Sequence, residues 1–188
     1  GEWSYGAAGG ATEAICMFIG TGVGGGIISN GQLFRGKSGA AGELGHTVVS
    51  LHGPGCRCGG RGCLEAYAGG WAIARRAFDA VSARPLAGRA LLEAAAGDAS
   101  AITATALARA MQAGDPLART LVREIEDALV AGLGSITNAL NPEVIILGGG
   151  VIEALPQLLE ETRQRLALQA LPVSAARPIA RRGTAPAR

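Results

Sequence analysis

The sequence predicts an α/β fold, because short apolar segments alternate with longer segments of helical periodicity. Residues 14–20 (AICMFIG) and 143–150 (EVIILGGG) are apolar runs that end in glycine, a pattern typical of buried strands. Helical spacing of apolar residues fills much of the chain after residue 63. With 188 residues, 48% of them hydrophobic and 17% charged, the chain can bury an ordered core.

The first part of the chain predicts three short strands. Residues 14–20 form the first, and residues 24–34 predict the next arm of a hairpin, with Asn30-Gly31 as the turn at its far end. Residues 46–50 (HTVVS) are rich in β-branched side chains and predict a third strand.

The rest of the chain predicts helices around one further strand. Apolar residues between 64 and 78 recur at helical spacing, with a break at Gly69-Gly70. Residues 98–114 predict another helix, with Asp98 or Ser100 as its N-cap.

A long helix is predicted to begin at Asp115-Pro116, an N-cap followed by proline at the first helical position. It should end before Asn141-Pro142. After the strand at 143–150, residues 151–171 predict a last helix that is interrupted near Pro156.

Charge and hydropathy exclude some classes of protein. The formal net charge of +2 is too small to indicate nucleic-acid binding. Part of the positive charge lies in residues 177–188 (RPIARRGTAPAR), which we expect to be a solvated tail. No apolar run reaches the ~20 residues needed to span a membrane, and no leader pattern opens the sequence. We therefore expect a cytoplasmic protein without a membrane partner.

Three cysteines and a histidine predict a metal site. Cys56, Cys58 and Cys63 follow the spacing C-x-C-x4-C among glycines that let the backbone wrap around a small centre. Three thiolates and one imidazole make a closed tetrahedral zinc site of the structural type. Disulfides are the alternative, but a C-x-C pair bridges poorly and a third thiol would be left over. Spacing alone leaves both His46 and His52 open as the fourth ligand.

Two glycine-rich segments are candidate phosphate-binding turns. Residues 20–26 (GTGVGGG) follow the first strand, and their backbone N–H groups can form an anion-binding nest. The dinucleotide fingerprint and the P-loop both fail here, because a strand follows and no Gly-Lys-Ser/Thr ending is present. A plain glycine hairpin fits this first segment equally well. Residues 147–151 (LGGGV) place a second turn before a helix N-terminus, and the two turns together favour a nucleotide site.

Two carboxylates flank the predicted metal loop. Glu43 lies three residues before His46, and Glu65 lies two residues after Cys63. If the loop holds both rigidly, they can accept hydrogen bonds from sugar hydroxyls. The structural alternatives are a surface turn for Glu43 and a helix N-terminal carboxylate for Glu65.

These motifs together resemble the ROK family (repressors, open reading frames, sugar kinases). The glycine pattern of residues 19–46 resembles the family signature, and GELGH at 42–46 resembles its Glu-x-Gly-His element. CRCGGRGCLEAYAGG at 56–70 resembles its zinc loop. NPEVIILGGG at 141–150 resembles its adenosine-side strand and turn.

The resemblance implies an α/β, actin-like ATPase (ribonuclease H-like) fold in two lobes. Residues 1–188 would form a single incomplete C-terminal lobe with a zinc loop at 46–63, and the N-terminal lobe would be missing. The family's general-base Asp would then lie upstream, so the chain on its own is expected to be inactive. The implied site residues are the sugar ligands Glu43, His46 and Glu65, the nucleotide-binding residues Gly20, Thr21, Gly22, Gly24, Gly25, Gly148, Gly149 and Gly150, and the structural zinc ligands His46, Cys56, Cys58 and Cys63.

The activity that the resemblance implies is phosphorylation of the 6-hydroxyl of a hexose by ATP with Mg²⁺, and glucose is the expected sugar. One alternative is N-acetylmannosamine kinase. Another is a sugar-sensing transcriptional repressor whose DNA-binding region lies outside this sequence. ATP and polyphosphate both stay open as phosphoryl donors, and the family implies a homo-oligomer, expected to be a dimer.

Overall fold

The computed structural model of this chain describes Trp3, residues 6–175 and the backbone of residues 179–182. Its centre is a five-stranded mixed sheet with the strand order β3-β2-β1-β4-β5. The strands are β1 (Ala14–Ile19), β2 (Val23–Ser29), β3 (Gln32–Leu33), β4 (Val144–Gly148) and β5 (Ile179–Arg182).

Strands β1, β2 and β3 form the antiparallel part of the sheet. Asn30 and Gly31 connect β2 to β3 with φ angles of 51° and 68°. A two-residue type I′ turn requires positive φ at both positions, which Asn-Gly tolerates better than other pairs. The predicted first strand and the predicted hairpin turn are confirmed.

Strand β4 joins the sheet parallel to β1, with Gly148 opposite Phe18. The carboxyl ends of β1 and β4 therefore lie at the same edge of the sheet. This edge brings together the two glycine-rich segments, because each segment follows one of these strands.

Strand β5 runs parallel to β4. Our expectation that a solvated tail begins at residue 177 is therefore wrong for residues 179–182, since their backbone pairs with β4. The other residues of that segment, 177, 178 and 183–188, lie outside the described residues.

Helices pack against one face of the sheet and build the main core. Ile15, Met17 and Ile19 alternate along β1 and are buried in this core, whereas Ala14 faces a smaller cluster on the opposite face. The helices are α1 (Glu65–Ala68), α2 (Gly70–Ala83), α3 (Arg89–Ala94), α4 (Ala104–Gln112), α5 (Pro116–Leu140), α6 (Gly150–Ala154), α7 (Gln157–Gln169) and α8 (Pro172–Ala175).

Helix α5 has the bounds that the sequence predicts. The Asp115 carboxylate accepts hydrogen bonds from the N–H groups of Leu117 and Ala118, each at 2.9 Å, and so caps the first turn. Asn141 ends the helix in the left-handed conformation, with φ of 45°. The predicted breaks at Gly69 and near Pro156 are also confirmed, because α1 and α2, and α6 and α7, are separate helices.

The strand predicted at residues 46–50 is wrong. Leu44–His46 forms a short 3-10 helix, and Val48 makes only an isolated β-bridge with Cys63. The Leu64 N–H donates to the Thr47 carbonyl at 2.9 Å. The backbone of this segment pairs with the end of the metal loop, at residues 62–64, and not with a strand of the sheet.

The helix predicted at residues 98–114 begins later than expected. Asp98 caps a 3-10 turn at Ala99–Ala101, and α4 begins only after Thr103, whose hydroxyl accepts from the Ala106 N–H at 3.3 Å. Ile102 between them is extended and 1% exposed. Burial of Ile102 in the core therefore interrupts a segment that local propensity alone would keep helical.

Among the residues that the structure describes, no helix combines the length and the apolar character that crossing a lipid bilayer requires.

Candidate functional site

Four side chains of the predicted metal loop converge. The ligand atoms of His46, Cys56, Cys58 and Cys63 all lie within 4.8 Å of one another. The sulphurs of Cys58 and Cys63 are 3.7 Å apart, as are the Cys56 sulphur and the His46 Nδ1. Tetrahedral zinc with Zn–S bonds of ~2.3 Å would place two sulphurs ~3.8 Å apart. The cluster therefore fits a tetrahedral metal ion, and 3.7 Å is too long for a disulfide.

Glycines make the tight path of the metal loop possible. The Cys56 N–H donates to the Gly60 carbonyl at 2.8 Å, and the Gly59 N–H donates back to the Cys56 carbonyl at 3.1 Å. Gly62 has a φ of 69° and lies so close to the Ser50 carbonyl that a Cβ would overlap with it. The positions of Gly59, with a φ of 91°, and Gly62 therefore favour glycine strongly, and both lie where the loop closes around the cluster.

The thiols of Cys58 and Cys63 differ in burial and in the direction of their pKa shift. Burial, assisted by the nearby Cys58 sulphur, raises the pKa of Cys63 to about 12. A backbone hydrogen bond at Gly60 lowers the pKa of the exposed Cys58. Cys63 is only 3% exposed, so its thiolate needs a cation beside it to be stable at neutral pH. A bound metal ion would supply that charge.

His46 connects the metal cluster to Glu43. Its Nδ1 faces the Cys56 sulphur, and its Nε2 lies 4.0 Å from a Glu43 carboxylate oxygen. The imidazole can therefore use one nitrogen for a metal and the other for a polar partner. His52 is exposed and lies outside the cluster, so the structure selects His46 between the two histidines.

Close backbone packing sets the position of Glu43 and His46. A Cβ at Gly42 would lie 3.1 Å from the Gly25 carbonyl, and a Cβ at Gly45 would overlap with Val23. The Gly-Glu-Leu-Gly-His segment therefore lies directly on β2. This contact fixes one side of the site against the sheet.

Glu65 approaches the first glycine turn from the other side. It is the first residue of α1, and its Oε2 accepts a hydrogen bond from the Val23 N–H at 2.8 Å. Its Oε1 accepts from the Trp71 indole N–H at 3.1 Å. A Cβ at Gly22 would lie 2.6 Å from Glu65 Oε2, which explains the glycine there. The Glu65 carboxylate, which directly follows the metal loop, is thus in contact with the end of the turn.

The first glycine turn is also bound by the start of α2. The carbonyl of Gly20 accepts from the Gly70 N–H at 2.8 Å, and the carbonyl of Thr21 accepts from the Trp71 N–H at 3.1 Å. These bonds fix residues 20–22 at the carboxyl end of β1.

The structure does not place all predicted glycines in that turn. Gly24 and Gly25 belong to β2, opposite Phe18 and Met17 of β1. A Cβ at Gly25 would lie 3.1 Å from the Gly42 carbonyl, so Gly25 provides room for the Gly-Glu-Leu-Gly-His segment.

The second glycine turn lies beside the end of β1. Gly148 ends β4, Gly149 has a φ of 95°, and Gly150 begins α6. A Cβ at Gly149 would lie 2.5 Å from the Ile19 carbonyl, just before Gly20. The two turns are therefore neighbours at one edge of the sheet, where parallel strands commonly place ligand sites.

Trp71 and Arg57 are residues of this site that the sequence did not single out. The guanidinium of Arg57 lies 4.6 Å from the centre of the Trp71 ring. The helical spacing from residue 64 onward places Trp71 on an apolar helix face. In the sequence, Trp71 stands out only because it lies six residues after Glu65, just beyond the predicted helix break at Gly69-Gly70.

Comparison with known proteins decides the family. The ROK family model matches residues 1–185. The chain belongs to the ROK family. Its fold is accordingly the actin-like ATPase fold of the ROK sugar kinases, as the sequence resemblance implied.

Relatives within the ROK family include kinases and repressors. The chain is 40% identical over 173 residues to a glucokinase of Halalkalibacterium halodurans, a match that covers 92% of this chain and 52% of the glucokinase. It is 31% identical over 172 residues to a xylose repressor of Bacillus spizizenii, covering 92% of this chain and 40% of the repressor.

A solved ROK structure has a similar fold. The Streptomyces griseus ROK glucokinase, crystallised with glucose and AMPPNP, matches with a TM-score of 0.81 and 34% identity, over 95% of this chain and 58% of that one. The chain thus spans about half the length of the curated glucokinases that it matches.

Proposed function

We propose that the protein is an ATP-dependent sugar kinase that phosphorylates the 6-hydroxyl of a hexose, with glucose as the substrate. The observation that carries this proposal is the contact between Glu65 and the Val23 N–H. It joins the carboxylate that follows the metal loop to the glycine turn at the end of β1. A sugar hydroxyl held by that carboxylate would lie beside a phosphate held by that turn, which is the arrangement that phosphoryl transfer needs.

The sugar side of the proposed site consists of Glu43, His46 and Glu65. Carboxylates accept hydrogen bonds from sugar hydroxyls, and the Nε2 of His46 can donate one while Nδ1 faces the cluster. Both oxygens of Glu65 already accept one hydrogen bond each, and a carboxylate has room for about four. Glu65 can therefore bind a sugar hydroxyl without losing its present partners.

The nucleotide side consists of the two neighbouring glycine turns. Gly20, Thr21 and Gly22 would face the phosphates, with Mg²⁺ bound to the nucleotide, and Gly148, Gly149 and Gly150 would lie near the adenosine. Their common position at the carboxyl ends of β1 and β4 supports this assignment. Gly24 and Gly25 would contribute indirectly, through their place in β2.

The metal that we propose for the cysteine cluster is zinc. Its ligands would be His46, Cys56, Cys58 and Cys63, a set that fills all four tetrahedral positions. A zinc ion there would stabilise the loop without taking part in the chemistry. The loop in turn would hold Glu43 and Glu65 in fixed positions on either side of the first glycine turn.

We also propose that this chain is the C-terminal lobe of a two-lobed kinase. The matched glucokinases are about twice as long, which supports the proposal. The general base that accepts the hydroxyl proton would belong to the other lobe, so the chain alone would be inactive. Homodimerisation stays a prediction from the family resemblance.

A sugar-sensing repressor is the second candidate. The likeness to a xylose repressor favours it, because that likeness covers the same 92% of the chain as the glucokinase match. The lower identity, 31% against 40%, places it second. A repressor would share the sugar side of the site and would act through a DNA-binding region.

The test is an assay of ADP release by the complete gene product with ATP, Mg²⁺ and a panel of glucose, mannose, fructose, N-acetylglucosamine and N-acetylmannosamine. We expect turnover with glucose. Turnover only with N-acetylmannosamine would correct the substrate. No turnover, together with a rise in melting temperature on adding a sugar, would replace the kinase proposal with the repressor.

A further inference from the structure

Trp71 contacts three parts of the candidate site at once. Its indole N–H donates to Glu65 Oε1 at 3.1 Å, and its backbone N–H donates to the Thr21 carbonyl at 3.1 Å. The guanidinium of Arg57 lies 4.6 Å from the centre of its ring. Trp71 thus joins the metal loop, the sugar-side carboxylate and the glycine turn.

The hydrogen bond from Trp71, together with the one from Val23, restrains rotation of the Glu65 carboxylate. Oε2 is already held by the Val23 N–H at 2.8 Å, so the two donors approach the carboxylate from two directions. A carboxylate held at both oxygens cannot rotate about its last bond without losing one of them. Hydrogen bonds to charged groups are about twice as strong as those between neutral groups, so this restraint is substantial.

Arg57 connects the metal loop to the Trp71 ring by stacking its guanidinium on the indole. It lies between the cluster residues Cys56 and Cys58, and its side chain is exposed apart from the stacking on Trp71. The closure of the loop around the four-residue cluster therefore sets the backbone position from which the guanidinium reaches the Trp71 ring. A cation over an indole face is attracted to it, which holds the ring in the orientation that points its N–H at Glu65.

We propose that Trp71 is a positioning residue, which sets the Glu65 carboxylate for the sugar and is itself oriented by Arg57 of the metal loop. The proposal rests on the proposed sugar site at Glu65. The metal loop would then position Glu65 by two routes. One is the short chain segment from Cys63 to Glu65, and the other is the Arg57–Trp71–Glu65 contacts.

The main test compares Trp71→Phe with the parent protein, as complete gene products. Phenylalanine keeps a ring for Arg57 but has no N–H for Glu65. We expect glucose to bind about tenfold more weakly by calorimetry and its KM to rise by a similar factor, in line with loss of a hydrogen bond to a charged group. The KM for ATP should change less than about twofold, because the Trp71 hydrogen bond to the turn comes from its backbone N–H, which phenylalanine keeps.

Trp3→Phe is the matched control, since the chain has two tryptophans and the Trp3 indole also donates one hydrogen bond, to the Ala11 carbonyl at 2.9 Å. Trp3 packs on the opposite face of the sheet from α2. This variant should bind glucose like the parent. Arg57→Ala, which keeps the indole N–H, should weaken glucose binding by about two- to fivefold, the value of an exposed cation–π contact.

Tryptophan fluorescence supplies a readout that does not depend on activity. Glucose should change the emission of the parent and of Trp3→Phe, and the change should be clearly smaller in Trp71→Phe, since the Trp71 indole bonds directly to Glu65. Metal content and melting temperature of each variant show whether it is folded. If Trp71→Phe does not fold, the glucose affinity of Arg57→Ala decides.

Separate outcomes contradict the two proposals. A parent protein that binds no sugar would overturn the sugar site itself. A parent that binds glucose, with Trp71→Phe and Arg57→Ala binding it equally well, would overturn only the positioning role. Equal losses of glucose and ATP affinity in Trp71→Phe would make Trp71 a packing residue and would also overturn it.

Discussion

Cys58 is the most exposed member of the metal cluster, and its sulphur lies 3.7 Å from that of the buried Cys63. Two protonated thiols at this distance stabilise the loop only slightly by their own interaction. With a metal between them, both become thiolates that share one cation, and the exposed loop is tied to the start of α1. The stability of the loop should therefore depend on the metal more than on packing.

Replacing Cys58 with serine tests the metal site. We expect Cys58→Ser to lose its zinc, from about one ion per chain to nearly none, and to lower the unfolding free energy by several kcal/mol, because a structural zinc ion contributes folding energy directly. Elemental analysis and calorimetric melting measure the two effects. Cys16→Ala, in β1 and outside the cluster, is the control and should keep its metal. Unchanged metal content in Cys58→Ser would contradict the assignment.

Glu65 allows a nearly isosteric test of the sugar site. In Glu65→Gln one oxygen becomes an NH2 group, so only one of the two donors, the Val23 N–H or the Trp71 indole, keeps its acceptor. We expect glucose affinity to fall about tenfold or more and ATP affinity to change less than about threefold. Calorimetric titration with each ligand measures both, and Glu93→Gln on the exposed face of α3 is the control. Equal losses for the two ligands would show that Glu65 is wrongly placed on the sugar side.

At the scale of single elements, α5 shows what local sequence can determine. Its N-cap, its proline at the first position and its left-handed Asn141 all act within a few residues, so the sequence predicts both ends. The segment at 46–50 shows the opposite case. Its β-branched residues favour a strand, but its partner is the distant end of the metal loop, which only the folded chain brings near.

Asp115 also joins two helices, which no local rule predicts. One carboxylate oxygen caps α5, and the other accepts from the N–H of Leu91 in α3 at 3.1 Å. The residue is 4% exposed, so removing it leaves buried donors without partners.

We expect Asp115→Ala to lower the unfolding free energy by about 2–4 kcal/mol, the sum of a lost cap and an unsatisfied buried N–H. Asp98→Ala is the matched control, because Asp98 caps only the exposed 3-10 turn and should cost less than about 1 kcal/mol. Urea denaturation of both variants gives the comparison. Equal costs would mean that the bond to α3 contributes nothing.

At the scale of the whole molecule, the sheet order explains why the site is only partly predictable. The cysteine spacing, the glycine turns and the flanking carboxylates are local patterns, and they indicate the ROK family correctly. The contact between Val23 and Glu65 joins residues that are 42 positions apart. That contact depends on how α1, α2 and β2 pack together, so neither it nor the role of Trp71 can be inferred from spacing.

The position of the two glycine turns likewise depends on the fold. They are more than a hundred residues apart in sequence, and the parallel pairing of β1 with β4 makes them neighbours. One sheet edge thus carries both the proposed phosphate side and, through Glu65, the proposed sugar side. The central claim is that a sugar hydroxyl and a nucleotide phosphate meet at this edge.

The most direct test of that claim identifies the product. The complete gene product would be incubated with ATP, Mg²⁺ and glucose, and the mixture followed by phosphorus and carbon NMR. The account predicts ADP together with glucose that carries its phosphate on the 6-oxygen, and no phosphorylated product from 6-deoxyglucose. Glucose that binds but stays unphosphorylated, or a phosphate on a different oxygen, would contradict it.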